Sequence, residues 1–147
     1  MEADATGTDA LRDLDEKLTR AVARIYRRFR TERANGELGD AAMAALSHLH
    51  RAGPTSLGGL SENDRVTPAS MSQTVNRLVS LGLAVRTPDP EDGRRVLFAP
   101  TEQGHALAAV AREERHRWFR ERLAALTDEE RDVLHRAADL LGGIAED

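Results

Sequence analysis

The stretch TPASMSQTVNRLVSLGLAVRTPDPEDGRRVLFAPTEQG, residues 67–104, carries two periodicities in succession. In its first half Met71, Val75, Leu78 and Leu81 recur at steps of three and four, the spacing of one helical face. Thr67 stands where an N-cap hydroxyl accepts from free N–H groups, and Pro68, at the first helical position, has no N–H to lose. Gly82 is the residue type that ends a helix in the left-handed conformation. In the second half LAVRT and RRVLFA flank the turn PDPEDG, the pattern of a two-stranded hairpin. A helix over 68–81 followed by a hairpin with a six-residue turn, 88–93, is therefore expected. Because Pro100 cannot donate to a strand ladder, the second strand is expected to end by Ala99.

The polar side of that helix is unusual in kind. Outside the apolar stripe lie Ala69, Ser70, Ser72, Gln73, Asn76, Arg77 and Ser80. A merely solvated face draws on Glu, Lys and Arg, which combine charge with helix propensity. Hydroxyls, amides and a guanidinium are instead the groups that hydrogen-bond base edges and phosphates. From Arg65 to Arg86 there are three arginines and no carboxylate, so this segment would not repel a DNA backbone. The chain as a whole carries a net charge of −4, but local charge decides where nucleic acid can touch. The hairpin tip presents Arg94 and Arg95, and guanidinium groups suit the negative potential of a minor groove. Asp89, Glu91 and Asp92 sit beside them, and one of these acids can pin an arginine and pre-shape the tip. The blander readings are an ordinary surface helix and a hairpin made soluble by its charges.

Outward from this centre the chain reads as helices. Thr8 and Asp9 are N-cap candidates for a helix carrying Leu11, Leu14, Leu18, Val22, Ile25 and Phe29, ending near Asn35–Gly36. Asp40 is a cap for a second helix that stops at Gly53–Pro54. Ser56 opens a short third one over LGGLSENDR. Past the hairpin, Thr101 begins a long helix with Leu107, Val110, Ala111, Trp118 and Leu123. Residues 127–130, TDEE, form a capping box for a last helix bearing Val133, Leu134, Ala137, Leu140, Leu141 and Ile144, loosened at Gly142–Gly143. The fold class is thus mainly α with a small β-hairpin wing. A short helix, a tight connection and a capped second helix make a helix-turn-helix, whose second helix enters a major groove; the hairpin after it makes a winged helix.

Composition bounds the alternatives. At 147 residues and 40% apolar, the chain suits a single domain, 1–147, with an ordinary core. No apolar run reaches the ~18 residues of a membrane span. The acidic N-terminus shows no signal core, so a cytoplasmic protein with no membrane partner is expected. The absence of cysteine removes disulfides, thiolate metal sites and thiol nucleophiles. No phosphate loop, nucleophile-and-base pattern or paired carboxylates at apolar positions supports an enzyme or a cofactor. His48 and His50, two apart on a helix, point to different sides and cannot chelate together. His105, His116 and His135 are isolated in sequence, so no metal site is expected. Histidine near a hinge between helical body and DNA-reading part leaves a pH response as a hypothesis.

The recognition helix ending NRLVSLGLAVR, the wing signature DPEDGRR and the T-E-x-G at residues 101–104 resemble the MarR family of bacterial transcriptional regulators. With the helix order and the length, the resemblance covers nearly the whole chain. It implies a homodimer built from terminal helices, about 8–35 and 101–145, around a DNA-binding region of about 40–100. It implies a pseudo-palindromic double-stranded operator as partner, and usually repression. On that resemblance Thr67, Ser70, Ser72, Gln73, Asn76 and Arg77 belong to the recognition helix, and Asp92 and Arg94 to the wing motif, with Arg95 adjacent. It implies further a crevice for a small aromatic effector, for which Tyr26, Arg30, Met43, His50 and Trp118 are candidates. Where the family usually has Leu-Thr, this chain has Pro100–Thr101.

A dimer also follows from apolar area. Burying one large apolar side chain is worth about 1.5–3 kcal/mol. Three wet stripes would outweigh a domain's typical ~5–15 kcal/mol of net stability. The competing readings are a monomer whose stripes close on its own centre, and a winged-helix module working through protein contacts with DNA binding secondary.

Overall fold

The computed structural model describes residues 2–31 and 38–146. The elements in chain order are α1 (Glu2–Thr31), α2 (Asp40–Ala52), β1 (Thr55–Ser56), α3 (Leu57–Asp64), α4 (Pro68–Ser80), β2 (Ala84–Pro88), β3 (Val96–Pro100), α5 (Glu102–Ala124) and α6 (Asp128–Glu146). They fall into two compact units, residues 1–109 and 110–147.

The core of the first unit is an interlock of α2, α3 and α4. Ala45, Leu46 and Leu49 from α2 meet Leu60 from α3 and Met71, Val75 and Leu78 from α4, all fully buried or nearly so. The three residues expected to line the apolar face of α4 between its caps are the ones buried there. Leu83, Ala84 and Phe98 carry the same core under the sheet.

That sheet has three antiparallel strands in the order β1-β3-β2, one more than the hairpin read from the sequence. Thr55 and Ser56 pair with Phe98 and Leu97, so β3 is flanked on both sides where it crosses the helical body. A hairpin that is marginal alone is thereby tied to the chain segment that opens α3.

The expected end of β3 at Ala99 is corrected. Ala84 pairs with Pro100, and the strand includes the proline. Asp89 N donates to Arg95 O, and Thr101 N donates to Leu83 O. In an antiparallel ladder these two bonded pairs put Ala84/Pro100 and Pro88/Val96 at the alternate, non-bonded positions. Neither proline is asked for an N–H toward its partner, and β1 stops short of Pro100. The turn occupies 89–95 rather than 88–93.

Other boundaries shift by local chemistry. Thr8 and Asp9 lie inside α1, not at its start, because the Ala- and acid-bearing segment ahead of them also favours a helical N-terminus. Its expected end at Asn35–Gly36 lies outside the described residues. The N-cap of α2 is Gly39 in extended backbone, and Asp40 is the first helical residue, where its charge still faces the positive end of the helix dipole. Gly142 and Gly143 do not loosen α6, which continues to Glu146; two glycines cost helix propensity without forbidding the conformation.

In the second unit the expected capping box is present. Thr127 N donates to Glu130 Oε2 at 2.9 Å, and Glu130 N donates to Thr127 Oγ1 at 3.2 Å. Arg131 closes the corner before α6 by donating to Leu123 O at 3.0 Å and to Leu126 O. None of the residues of α6 is buried, and Leu140 and Ile144 are 71% and 68% exposed.

A candidate nucleic-acid interface

The two helices of the helix-turn-helix are joined by only three residues, Arg65–Thr67. Arg65 makes this possible by taking the left-handed conformation at φ 52°, uncommon for a residue with a side chain. Thr67 Oγ1 then caps α4, accepting from Ser70 N at 3.2 Å and donating to Ser70 Oγ at 3.0 Å. Both hydroxyls at the tip of the helix are thus engaged with one another while remaining exposed. Gln73, Asn76 and Arg77 project from the exposed side of α4, and Ser72 is half-buried.

At the far end, one corner fixes how the wing leaves α4. Gly82 takes φ 72° and ends the helix. Thr101 Oγ1 donates to Gly82 O at 2.6 Å and accepts from Gly104 N at 3.0 Å, so one hydroxyl both caps α5 and ties it to the end of α4. A Cβ on Gly104 would stand 2.1 Å from Leu83 O, which only a glycine avoids. Here is the physical content of the T-E-x-G pattern: its threonine and glycine are what let α5 start against the α4–β2 corner.

The wing tip is shaped by its own acids. Asp92 Oδ1 accepts from Arg94 N at 3.1 Å, Asp92 O accepts from Arg95 N at 2.9 Å, and Asp89 Oδ1 accepts from Glu91 N at 2.9 Å. Asp89 also faces Arg95, with Oδ2 4.0 Å from Nε. The carboxylates of Asp89 and Asp92 thus bond turn amides, and Asp89 beside Arg95 is the acid–arginine contact expected from the sequence. Asp92 therefore faces its own backbone, while Arg94 and Arg95 are exposed.

Between α4 and the wing lies an open concavity of about 570 Å3. Ser72 and Asn76 line it from α4, Arg86 from β2, Arg95, Val96 and Phe98 from β3, and Ser56, Leu57 and Gly58 from the start of α3. No lining residue is a carboxylate. Arg86, missed as a site residue in the sequence, is among the residues that line it. It donates from Nη2 to Asn76 Oδ1 and lies with its guanidinium carbon 5.7 Å from the centre of the Phe98 ring. Its only sequence signal was its place as the last arginine of the carboxylate-free stretch.

The candidate effector residues have diverse settings. Tyr26 on α1 is exposed, Met43 is in the core, and the side chain of Arg30 lies outside the described ones. Trp118 belongs to the second unit, where Arg122 lies over its ring at 4.7 Å. His50 meets a partner that sequence separation hid: its Nδ1 is 2.8 Å from Nδ1 of His105.

Comparisons with known proteins agree with this geometry. Residues 37–95 match the model of the MarR family. An uncharacterized HTH-type transcriptional regulator of Mycobacterium bovis is 38% identical over 128 residues, 87% of this chain and 90% of its own. A MarR family protein from Bacillus stearothermophilus superposes with a TM-score of 0.84 at 23% identity, covering 94% of this chain and 96% of that one. Streptococcus pneumoniae FabT, solved in complex with DNA, gives 0.80 at 17% identity, over 92% and 96% of the two chains.

Proposed function

The chain belongs to the MarR family of DNA-binding transcriptional regulators, and from that premise we propose that it is a homodimeric repressor of a pseudo-palindromic operator. The recognition helix, with Ser70, Ser72, Gln73, Asn76 and Arg77, enters the major groove, and the wing brings Arg94 and Arg95 to the adjacent minor groove. Thr67 and Asp92 shape those two elements. The observation that carries the reading is the concavity: residues of α4 and of the wing open onto one space, and no carboxylate lines it. A protein partner has no need of such an acid-free surface, which weighs against a protein-interaction module with secondary DNA binding. The fold that this chain shares with FabT, a protein crystallised on DNA, supports the same side.

The dimer rests on α1 and α6. Leu11, Leu14, Val22, Leu140 and Ile144 are each more than half exposed in the single chain. A second copy is the partner that covers such faces and sets two recognition helices about 34–36 Å apart. Among the described residues no helix is long and apolar enough to cross a membrane, and a cytoplasmic regulator fits this.

Release of the operator by a small ligand or by pH completes the proposal. For pH there is a specific observation. The contact between His50 and His105 needs one Nδ1 to carry a proton and the other to be bare. Protonating both rings replaces it by repulsion between α2 and the start of α5. Operator affinity at pH 5.5 and 7.5, at one salt concentration, tests this; equal affinities refute it.

The main proposal is tested by binding to the DNA upstream of the chain's own gene, against random duplex of equal length. Preference for the upstream DNA, in a footprint with two-fold symmetry, is expected. Equal affinity for both would refute specific repression.

A further inference from the structure

We propose that Arg86 is a specificity-determining positioning residue: by holding the Asn76 carbonyl oxygen, it fixes the orientation of this recognition-helix amide and biases it toward donating. The inference rests on the DNA-binding reading above and goes beyond it to the chemistry of one contact.

A guanidinium has five N–H donors and no acceptor. Whatever atom of Asn76 faces Arg86 Nη2 must therefore be the carbonyl oxygen, and the amide orientation follows without further assumption. The NH2 group, a donor, finds no acceptor in Arg86, and Asn76 lines the concavity together with Ser72 and Arg95. Arg86 is itself held in place. It stands on β2 directly opposite Phe98 in the ladder, with its guanidinium over that ring, and Phe98 is only 7% exposed. A planar group stacked on a fixed ring and bonded at its edge has few other places to go.

The consequence is a restriction on what Asn76 reads. A free asparagine recognises adenine by accepting from N6 and donating to N7 together. With one lone pair of Oδ1 taken and its direction set by Arg86, that bidentate pairing is weakened, and the side chain favours an edge that only accepts: guanine O6 and N7, or thymine O4. The recognition helix thus disfavours adenine at one base pair of each half-site, although its sequence contains the residue type that usually selects it. Position-specific discrimination at one base pair is worth roughly 1–3 kcal/mol, about five- to 150-fold.

The experiment begins with duplexes enriched from a randomised pool by the full-length protein. For the best duplex, every single base-pair change is measured by competition at fixed salt, with the wild type, Asn76→Ala, Arg86→Met and the double variant. Circular dichroism checks that each variant is folded. Asn76→Ala identifies the base pair read by Asn76 as the position whose preference it flattens. At that position the wild type is expected to favour guanine or thymine over adenine by about tenfold. Arg86→Met should shift that position alone toward adenine, leave the slope of affinity against salt unchanged, and add nothing to Asn76→Ala. A uniform loss across all sequences, with a salt slope reduced by about 0.9, would make Arg86 a phosphate contact and overturn the inference. So would an adenine preference in the wild type, or an Asn76→Ala profile identical to it. If no duplex is enriched over the pool, the DNA-binding reading itself fails and takes the inference with it.

Discussion

The winged helix and the terminal helices use apolar residues in opposite ways. In α2, α3 and α4 the aliphatic side chains of Leu46, Leu49, Leu60, Val75 and Leu78 are driven to near-zero exposure against one another. Along α1 and α6 residues of the same kinds, at the same helical spacing, stand in the open: Leu11 is 69% exposed and Leu140 71%. One region satisfies its apolar pattern within a single chain. The other carries a pattern that the single chain leaves unsatisfied. Amphipathic periodicity therefore states that a face will be covered, and does not state by what.

This contrast can be broken first at its most crowded point. Gly104→Ala places a methyl group against the Leu83 carbonyl, and should lower unfolding free energy by about 3 kcal/mol, at the upper end of what overpacking costs. Chemical denaturation measures it, and a loss below 1 kcal/mol would mean that the corner yields easily. Leu46→Ala, in the core of α2, should cost about 2–5 kcal/mol at any protein concentration. The paired replacement Leu140→Asp with Ile144→Asp should behave differently. It should leave the winged helix folded by circular dichroism while stability loses its dependence on protein concentration. If both variants unfold the chain alike, the two regions are not distinct in the way described.

On the DNA side, Arg77→Ala should weaken operator binding by about 1–3 kcal/mol and relax discrimination at one base pair. Arg94→Ala, at the wing tip, should have the smaller and more uniform effect, reducing the salt slope by about 1. Competition binding at two salt concentrations separates the two outcomes. Equal losses of discrimination from both would erase the division between a reading helix and a positioning wing.

Legibility from sequence followed the range of the interactions. Thr67, Pro68 and Gly82 could be read because a cap and its partners lie within a few residues. The same holds for Thr127 with Glu130. The wing could be read from alternation and turn residues, but β1 could not, since two residues carry no period. Pro100 misled because a proline's tolerance depends on which ladder position it occupies, which only the register decides. In the candidate site, Ser72, Asn76 and Arg95 were identified by residue type and do share one concavity. Arg86 was not singled out, because its meaning lies in Asn76, ten residues away across a corner. The His50–His105 contact spans 55 residues and leaves no local trace.

A homodimer requires the exposed faces of α1 and α6 to be covered by a second copy. Light scattering of the intact protein at micromolar concentration, coupled to size-exclusion chromatography, measures this directly. A mass twice the 16.1 kDa of one chain is the result expected. A mass of 16.1 kDa, unchanged on raising the concentration, would contradict it.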